Sequence, residues 1–202
     1  MPEVAPMLIV CVELARVESE LLGGELWCPS CRGVLGPWGH ARERVVRCSG
    51  GRELGLRPRR ARCRACAVTH VLLADLCLLR RRDEVSVIGA AIEAKVTSGA
   101  GHRTIAGRLG VHKDTVRGWL RRFAARAEQV RAHFVRWAVA LDAELGAIEP
   151  AGSVLADALE AVAVAVRAWV LRFGPGEAWR IASVLSGGLL LANTSSLSPS
   201  AP

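Results

Sequence analysis

The first half of the chain alternates short apolar runs with glycines and charged residues. Residues 8–12 (LIVCV) form an apolar run that predicts a strand, and a polar stretch follows it up to Gly23 and Gly24. Residues 27–79 contain β-like runs such as residues 44–47 (RVVR), separated by many glycines and arginines. We therefore predict short strands for this part of the protein.

The second half of the chain has helical periodicity. Residues 80–127 place apolar side chains three and four positions apart, with glycines between the periodic stretches, and this predicts three short helices. Residues 128–192 are rich in Ala, Val and Leu and predict two or three long helices. Residues 193–202 are rich in Ser and Pro, which predicts a disordered tail.

Two of the three short helices meet at a glycine corner. Ile105, Ala106 and Leu109 predict a short amphipathic helix. Gly110 ends this helix, because glycine readily adopts the left-handed turn at a helix C-terminus. The predicted apolar positions of the following helix are Val116, Trp119, Leu120 and Phe123. A third helix precedes these two and spans about residues 84–96.

The net charge of +8 is unevenly distributed. Residues 80–127 carry a net charge of +7, whereas residues 128–202 carry −2. Nine further arginines lie within residues 40–66. Because the arginine guanidinium matches the geometry of phosphate and guanine better than lysine does, this distribution favours nucleic acid as the partner. A solvated basic surface is the alternative interpretation.

Four of the seven cysteines form two Cys-x-x-Cys pairs, Cys28 with Cys31 and Cys63 with Cys66, and thirty-one residues separate the pairs. Each pair can form a tight turn that directs both sulfurs at one ion, and two such turns complete a tetrahedral thiolate site typical of structural zinc. The intervening stretch suits a small β-ribbon whose stability depends on the metal. We therefore predict that these four cysteines bind Zn²⁺.

Other interpretations of the cysteines and histidines are open. Residues 27–31 (WCPSC) also resemble a thioredoxin redox motif, but that chemistry needs a helix after the first cysteine, and Gly33 and Gly36 disfavour one. Cys11 and Cys77 lie in apolar runs and are expected to be small buried side chains. The remaining ligand candidates, which a complete set of four sulfurs does not need, are His40, Cys48 and His70.

These patterns together predict a mainly α fold with a small β zinc ribbon. We expect a zinc-ribbon domain with an N-terminal strand in residues 1–79 and a three-helix helix-turn-helix domain in residues 80–127. A C-terminal helical region follows in residues 128–192, and the disordered tail occupies residues 193–202.

In a helix-turn-helix the second helix of the motif enters the major groove of DNA. Arg117 is the first candidate for base readout, because a guanidinium can bond two acceptors of guanine at once. Arg103 and Thr104 begin the preceding helix, where backbone N–H groups attract a phosphate. Asp114 either accepts from cytosine or caps the helix. The predicted DNA-binding residues are Arg103, Thr104, His112, Lys113, Asp114, Arg117 and Arg121.

Between Leu26 and Phe123 the chain resembles the front end of bacterial insertion-sequence transposases, on the motifs LWCPSC, RARCRAC, THVLL and TVRGWLRRF. It is particularly similar to small actinobacterial proteins of undefined function that are associated with such elements. In these transposases a zinc ribbon followed by a helix-turn-helix binds the terminal repeats of the element. The resemblance implies that role for Arg117 and its neighbours, and for Cys28, Cys31, Cys63 and Cys66.

The chain departs from the transposases in its second half. Strand transfer uses three acidic residues that hold two metal ions on a mixed sheet. Residues 128–202 contain acidic residues, including Asp157 and Glu160, but no β-like stretches flank them, and about 75 residues are too few for such a domain. We therefore expect no enzymatic activity and no small-molecule substrate.

Residues 154–173 predict a helix that is apolar on most of its sides, and such a helix needs partners on several faces. Either the C-terminal helices pack on each other, or they form a homodimer interface, which would suit paired DNA half-sites. The charged residues Asp157, Glu160, Arg167 and Arg172 make membrane insertion of this segment costly. With no secretory signal in the sequence, we expect a cytoplasmic, nucleoid-associated protein.

Three function classes follow from these patterns. The first is a sequence-specific protein that binds double-stranded DNA as an accessory of an insertion element and lacks a catalytic domain. The second is a host transcriptional regulator with the same DNA chemistry. The third is a zinc-dependent module that binds another protein.

Overall fold

The computed structural model describes residues 7–192, so the predicted disordered tail at residues 193–202 lies outside the described residues. The described chain is a mixed α/β protein, about half helical, with seven helices and a small sheet. The strands are β1 (Met7–Val10), β2 (Leu35–His40), β3 (Arg44–Arg47), β4 (Glu53–Leu56), β5 (Arg59–Cys63) and β6 (Thr69–Ala74). The helices are α1 (Leu14–Gly23), α2 (Val85–Ser98), α3 (His102–Leu109), α4 (Lys113–Ala125), α5 (Ala127–Leu141), α6 (Val154–Phe173) and α7 (Ala178–Leu185).

The main sheet has four strands in the order β1-β6-β5-β2. The strands β2, β5 and β6 are antiparallel neighbours, whereas β1 pairs with β6 in parallel, with Leu8 opposite Leu72. The strands β3 and β4 form a separate antiparallel hairpin. The predicted N-terminal strand is therefore present, and it joins the sheet through a partner more than sixty residues away in the sequence.

The stretch before Gly24 is a helix, α1, which the sequence analysis missed. Val17 and Leu21, four positions apart, are its buried residues and pack against the main sheet. Gly24 ends the helix in the left-handed conformation with φ 72°, and its N–H bonds the carbonyl of Glu20. Two buried positions are too few to reveal a helix by periodicity, although the glycine signal was present.

The helices α2–α7 share one hydrophobic core. Twenty-seven buried residues belong to it, from Leu78 before α2 to Leu191 after α7. The helices α5 and α6 pack along each other, and α7 packs on α2, where the ring of Trp179 lies over Gly89 and its Nε1 donates to Glu93 at 2.8 Å. The predicted domain boundary between residues 127 and 128 runs through this core.

A short connector, residues 75–84, joins the sheet to the helices. Its backbone is held on both sides, since Leu79 N donates to the carbonyl of Gly188 at 2.9 Å and the Ser183 hydroxyl donates to the carbonyl of Cys77 at 2.8 Å. Cys77 is buried as expected, whereas Cys11 is only half-buried because it follows the last residue of the edge strand β1. Within residues 7–192, no helix combines the length and hydrophobicity needed to cross a membrane.

Candidate functional site

The two cysteine pairs form turns with the same backbone geometry. In the first turn Cys28 N donates to the carbonyl of Gly33 and Arg32 N donates to the carbonyl of Cys28, both at 2.8 Å. In the second, Cys63 N donates to Val68 and Ala67 N donates to Cys63 in the same pattern. The residue after each second cysteine is left-handed, with φ 58° at Arg32 and 60° at Ala67. The repeated spacing in the sequence therefore produces a repeated local structure.

A glycine allows the two turns to approach each other. A Cβ atom at Gly33 would lie 2.7 Å from the Cβ of Ala65 and 2.9 Å from the sulfur of Cys63. Such distances are well inside van der Waals contact, so a larger residue here would push the turns apart. Gly33 thus sets the separation of the cysteine pairs.

The four sulfurs form one compact cluster. All lie within 4.8 Å of one another; the sulfurs of Cys28 and Cys66 are 3.7 Å apart, and those of Cys31 and Cys63 are 3.5 Å apart. A tetrahedral ion with sulfur ligands at 2.3 Å requires sulfur separations of about 3.8 Å. Four cysteines therefore lie close enough together to hold a metal ion, and their donor set and spacing fit a tetrahedral thiolate site.

The protein environment favours negative charge at part of this cluster. The backbone N–H of Cys66 donates to the Cys63 sulfur at 3.5 Å, which lowers the pKa of this thiol. Burial raises the pKa, but the N–H of Ala65 also donates to the sulfur, and the pKa falls to about 6. At Cys31 the N–H of Gly33 lowers the pKa, but the neighbouring sulfurs outweigh it and raise the value to about 12. Four thiols this close cannot all ionise without a cation, since each thiolate disfavours the next.

His70 is buried beside the cluster but outside the group of four. Its Nε2 lies 3.3 Å from the Cys28 sulfur, so a proton on this nitrogen would be donated to the sulfur. A contact of this kind orients a ligand and stabilises its charge. The sequence left His70 open as an alternative ligand. The structure places it in contact with the sulfur of Cys28 and outside the group of four. His40 and Cys48 do not belong to the group of potential ligands among the described residues.

The helices α3 and α4 meet at a tight corner. Gly110 ends α3 with φ 65°, and the N–H groups of Gly110 and Val111 both bond the carbonyl of Ala106. His112, and not Asp114, is the N-cap of α4, because its Nδ1 accepts from the backbone N–H of Asp114 at 3.3 Å. The capping role considered for Asp114 is therefore wrong. Sequence patterns rank histidine low as a cap, which concealed this role.

The apolar stripe of α4 is buried as its periodicity predicts, with Val116, Trp119 and Phe123 at 2% exposure or less and Leu120 half-buried. The opposite face is open to solvent. All the predicted DNA-binding residues are exposed on α3, α4 and the corner between them: Arg103, Thr104, His112, Lys113, Asp114, Arg117 and Arg121.

Arg117 has its ion partner on its own helix. Its Nη2 lies 3.1 Å from Oδ1 of Asp114, and the two side chains are 66% and 51% exposed. Such an exposed pair contributes little to stability, so the guanidinium can exchange this carboxylate for another acceptor. Within residues 7–192, Lys113 and Arg121 form no salt bridge at all.

Comparison with known proteins gives one family match. Residues 28–119 match a family described as "Domain of unknown function (DUF6431)", a span slightly under half of the chain. The match begins at Cys28 and ends at Trp119, so it includes all four clustered cysteines and most of the α3–α4 corner. No curated protein and no solved structure matches the chain.

Proposed function

We propose that this protein binds double-stranded DNA sequence-specifically through α4, with the four clustered cysteines holding Zn²⁺ in a ribbon beside it. The observation that carries the proposal is the corner between α3 and α4. It joins two helices through a tight glycine turn, a feature that a helix-turn-helix also needs, and the basic face of the second helix is exposed to solvent.

Charge supports DNA as the partner. The acidic C-terminal helices do not neutralise the basic face of α4, since the only carboxylate paired with it among residues 7–192 is Asp114 of the same helix. Duplex DNA offers phosphates for Lys113 and Arg121 and the paired acceptors of guanine for Arg117. Arg103 and Thr104, in the first turn of α3, are suited to position the protein on the backbone.

The metal would have a structural role. Cys28, Cys31, Cys63 and Cys66 would be its ligands, and a filled set of four thiolates leaves no open position for substrate. When bound, the ion neutralises the thiolates and crosslinks the two turns, which fixes β2, β5 and β6 against each other. We assign binding and no catalysis to the protein.

The resemblance to insertion-sequence transposases favours a role as an accessory protein of such an element. A homodimer of the protein would bind the terminal repeats of the element as paired half-sites. The exposed apolar side chains of the C-terminal helices, Leu171 at 84% and Phe173 at 59%, are candidates for the dimer contact. Sedimentation of the zinc-loaded protein tests this point, and a Leu171→Glu variant should shift the species from dimer to monomer.

Selection of bound sequences from random duplexes tests the proposal. We expect the wild-type protein to enrich a defined sequence, and its affinity to fall steeply with salt, because phosphate contacts release counterions. Arg117→Ala should cost about 1–3 kcal/mol at the selected site and relax the preference at one base pair.

Arg131→Ala is a matched control. Arg131 forms an exposed pair with Glu128, three positions before it, at the same 3.1 Å as Arg117 and Asp114, but on α5. This variant should keep the affinity and preference of the wild type. A wild-type protein that shows no salt-dependent retention of duplex DNA would refute DNA binding and favour the protein-interaction class. Unchanged selectivity in Arg117→Ala would refute the role of Arg117 alone.

A further inference from the structure

We propose that the loop between β3 and β4, together with the end of α3, forms a second contact for the phosphate backbone of duplex DNA. We call residues 49–52 of this loop the hairpin tip. The inference rests on the proposed function, because it names a further surface that would bind the same duplex.

The hairpin tip is firmly attached to the helices. The end of β3 pairs with the connector before α2, since Arg47 N donates to the carbonyl of Arg82 at 2.7 Å and Glu84 N donates to that of Arg47 at 2.9 Å. The Arg47 side chain also bonds Asp83 at 3.0 Å. The tip itself is closed by a hydrogen bond from Cys48 N to the carbonyl of Arg52 at 2.8 Å. The position of the tip relative to α2–α4 is therefore defined.

An open groove of about 480 Å³ separates the hairpin tip from the helices. The tip forms one wall with Ser49, Gly50 and Gly51, the first turns of α2 form the floor, and residues 107–110 at the end of α3 form the other wall. Each wall contains two glycines. A Cβ atom at Gly50, Gly51 or Gly107 would meet nothing within 4 Å, so the backbone is accessible to a ligand.

The groove carries positive charge and hydrogen-bond donors. Arg108, Ser49 and Ser86 are among its lining residues, and Arg52 follows Gly51 in sequence at the end of the tip. Both arginines are exposed, and neither forms a salt bridge among residues 7–192. Glu53 follows Arg52 in β4 and is the acidic residue adjacent to the tip in sequence. Charge complementarity thus favours an anionic partner.

The location of the groove favours a duplex over a small anion. Gly110 at its edge is three residues before Lys113, which places the groove within about 11 Å of the start of α4. Arg103 and Thr104 lie at the other end of α3, and a helix of eight residues is about 12 Å long. Two contacts with the DNA backbone would then lie at the two ends of α3, the helix that precedes α4. A single phosphate could engage one of them, whereas a duplex carries phosphates along its whole length.

A charge placed at Gly107 tests the inference. The position is helical and open, so Gly107→Glu and Gly107→Lys should both fold. We expect Gly107→Glu to weaken binding of the zinc-loaded protein to its selected duplex by roughly tenfold, and Gly107→Lys to strengthen it, without a change in sequence preference. Arg108→Ala should reduce the slope of log K against log salt by about 0.9, the value for one phosphate contact.

Gly146→Glu is the control, because Gly146 is also open but lies between α5 and α6, and its affinity should match that of the wild type. Equal affinities of the glutamate and lysine variants at position 107 would overturn the inference while leaving α4 as the reading helix. If the wild-type protein itself does not retain duplex DNA, the proposed function fails and the second contact fails with it.

Discussion

The ribbon region (residues 7–74) and the helical region (residues 78–191) are stabilised in different ways. The main buried cluster of the ribbon has eight residues, and two of them, Cys28 and Cys63, belong to the sulfur cluster. The core of the helical region has twenty-seven buried residues. Since hydrophobic stabilisation grows with the apolar area removed from water, packing can hold the helices, whereas the ribbon would gain more from a crosslink.

The two regions also use their polar side chains differently. In the ribbon, two turns of the same geometry bring four sulfurs together, two buried and two exposed, where a metal would act on stability. In the helical region the core fixes α3 and α4 rigidly, so that their outer face is free to carry charge without any stabilising role. The fold of α4 is thus expected to survive substitutions on its surface, whereas the fold of the ribbon is expected to depend on a few side chains.

Metal removal should separate the stabilities of the two regions most strongly. In isolated zinc-finger peptides the metal contributes an apparent folding free energy of about 10–16 kcal/mol. We expect chelation, or Cys63→Ser, to abolish the protection of β2, β5 and β6 in hydrogen exchange measured on the full chain. The core of α2–α7 should keep its protection, because its packing does not depend on the ion.

Cys11→Ser is the control for the loss of a thiol, since Cys11 is half-buried and outside the sulfur cluster. It should leave the exchange pattern of the ribbon intact. Ribbon protection that persists after metal analysis has established complete removal would contradict a structural metal.

In both regions, the features that the sequence predicts are the local ones. The sulfur cluster was predictable because ligand spacing is local: Cys28 and Cys31 determine one turn, Cys63 and Cys66 the other. The stripe of α4 and the corner at Gly110 were predictable from periodicity for the same reason. DNA binding by Arg117 and its neighbours stays a prediction.

Contacts between distant segments were not predictable from local patterns. The pairing of β1 with β6 depends on strands at opposite ends of the ribbon region, and the packing of Trp179 on Gly89 joins positions ninety residues apart. The helix α1 was missed because only Val17 and Leu21 mark its buried face. These features follow from complementary surfaces, which a single sequence does not display.

A glycine substitution tests how closely the helices of the helical region pack. A Cβ atom at Gly89 would lie 2.1 Å from the ring of Trp179, so Gly89→Ala overpacks the contact between α2 and α7. Overpacking costs about 1–3 kcal/mol and should outweigh the roughly 1 kcal/mol by which alanine ordinarily favours a helix interior. We expect a net loss of stability in urea unfolding of the zinc-loaded protein, followed by helical circular dichroism.

Gly107→Ala provides the opposite expectation. This helical glycine faces open space, so alanine should stabilise the protein by about 0.5–1 kcal/mol. The same substitution thus has opposite signs at two helical positions. If Gly89→Ala were as stable as the wild type, the close packing of α7 on α2 would be refuted.

The smallest expected effect concerns an ion pair in the ribbon region. The Nε of Arg59 on β5 donates to both carboxylate oxygens of Glu18 on α1, at 2.8 and 3.0 Å. This hydrogen bond lowers the pKa of Glu18 below its ordinary value of 4.5. The pair therefore contributes stability above pH 4.5, and the contribution is lost as the pH falls through the lowered pKa of the folded state.

Glu18→Gln should cost less than about 1 kcal/mol at neutral pH, because Glu18 is 41% exposed and the pair is screened. The difference in unfolding free energy between the wild type and this variant should shrink on acidification. Acid also releases the metal, but it does so in both proteins, so this effect cancels in the difference. Glu20→Gln on the same helix is the control: its partner Arg16 lies one turn away on α1, so no contact between elements is lost. An equal deficit for both variants, or one that grows in acid, would mean that Arg59 does not fasten α1 to the sheet. A small value at Glu18 would mean that the ion pair between α1 and the sheet supplies only a fraction of the ribbon's stability, as expected if apolar packing and the sulfur cluster supply the rest.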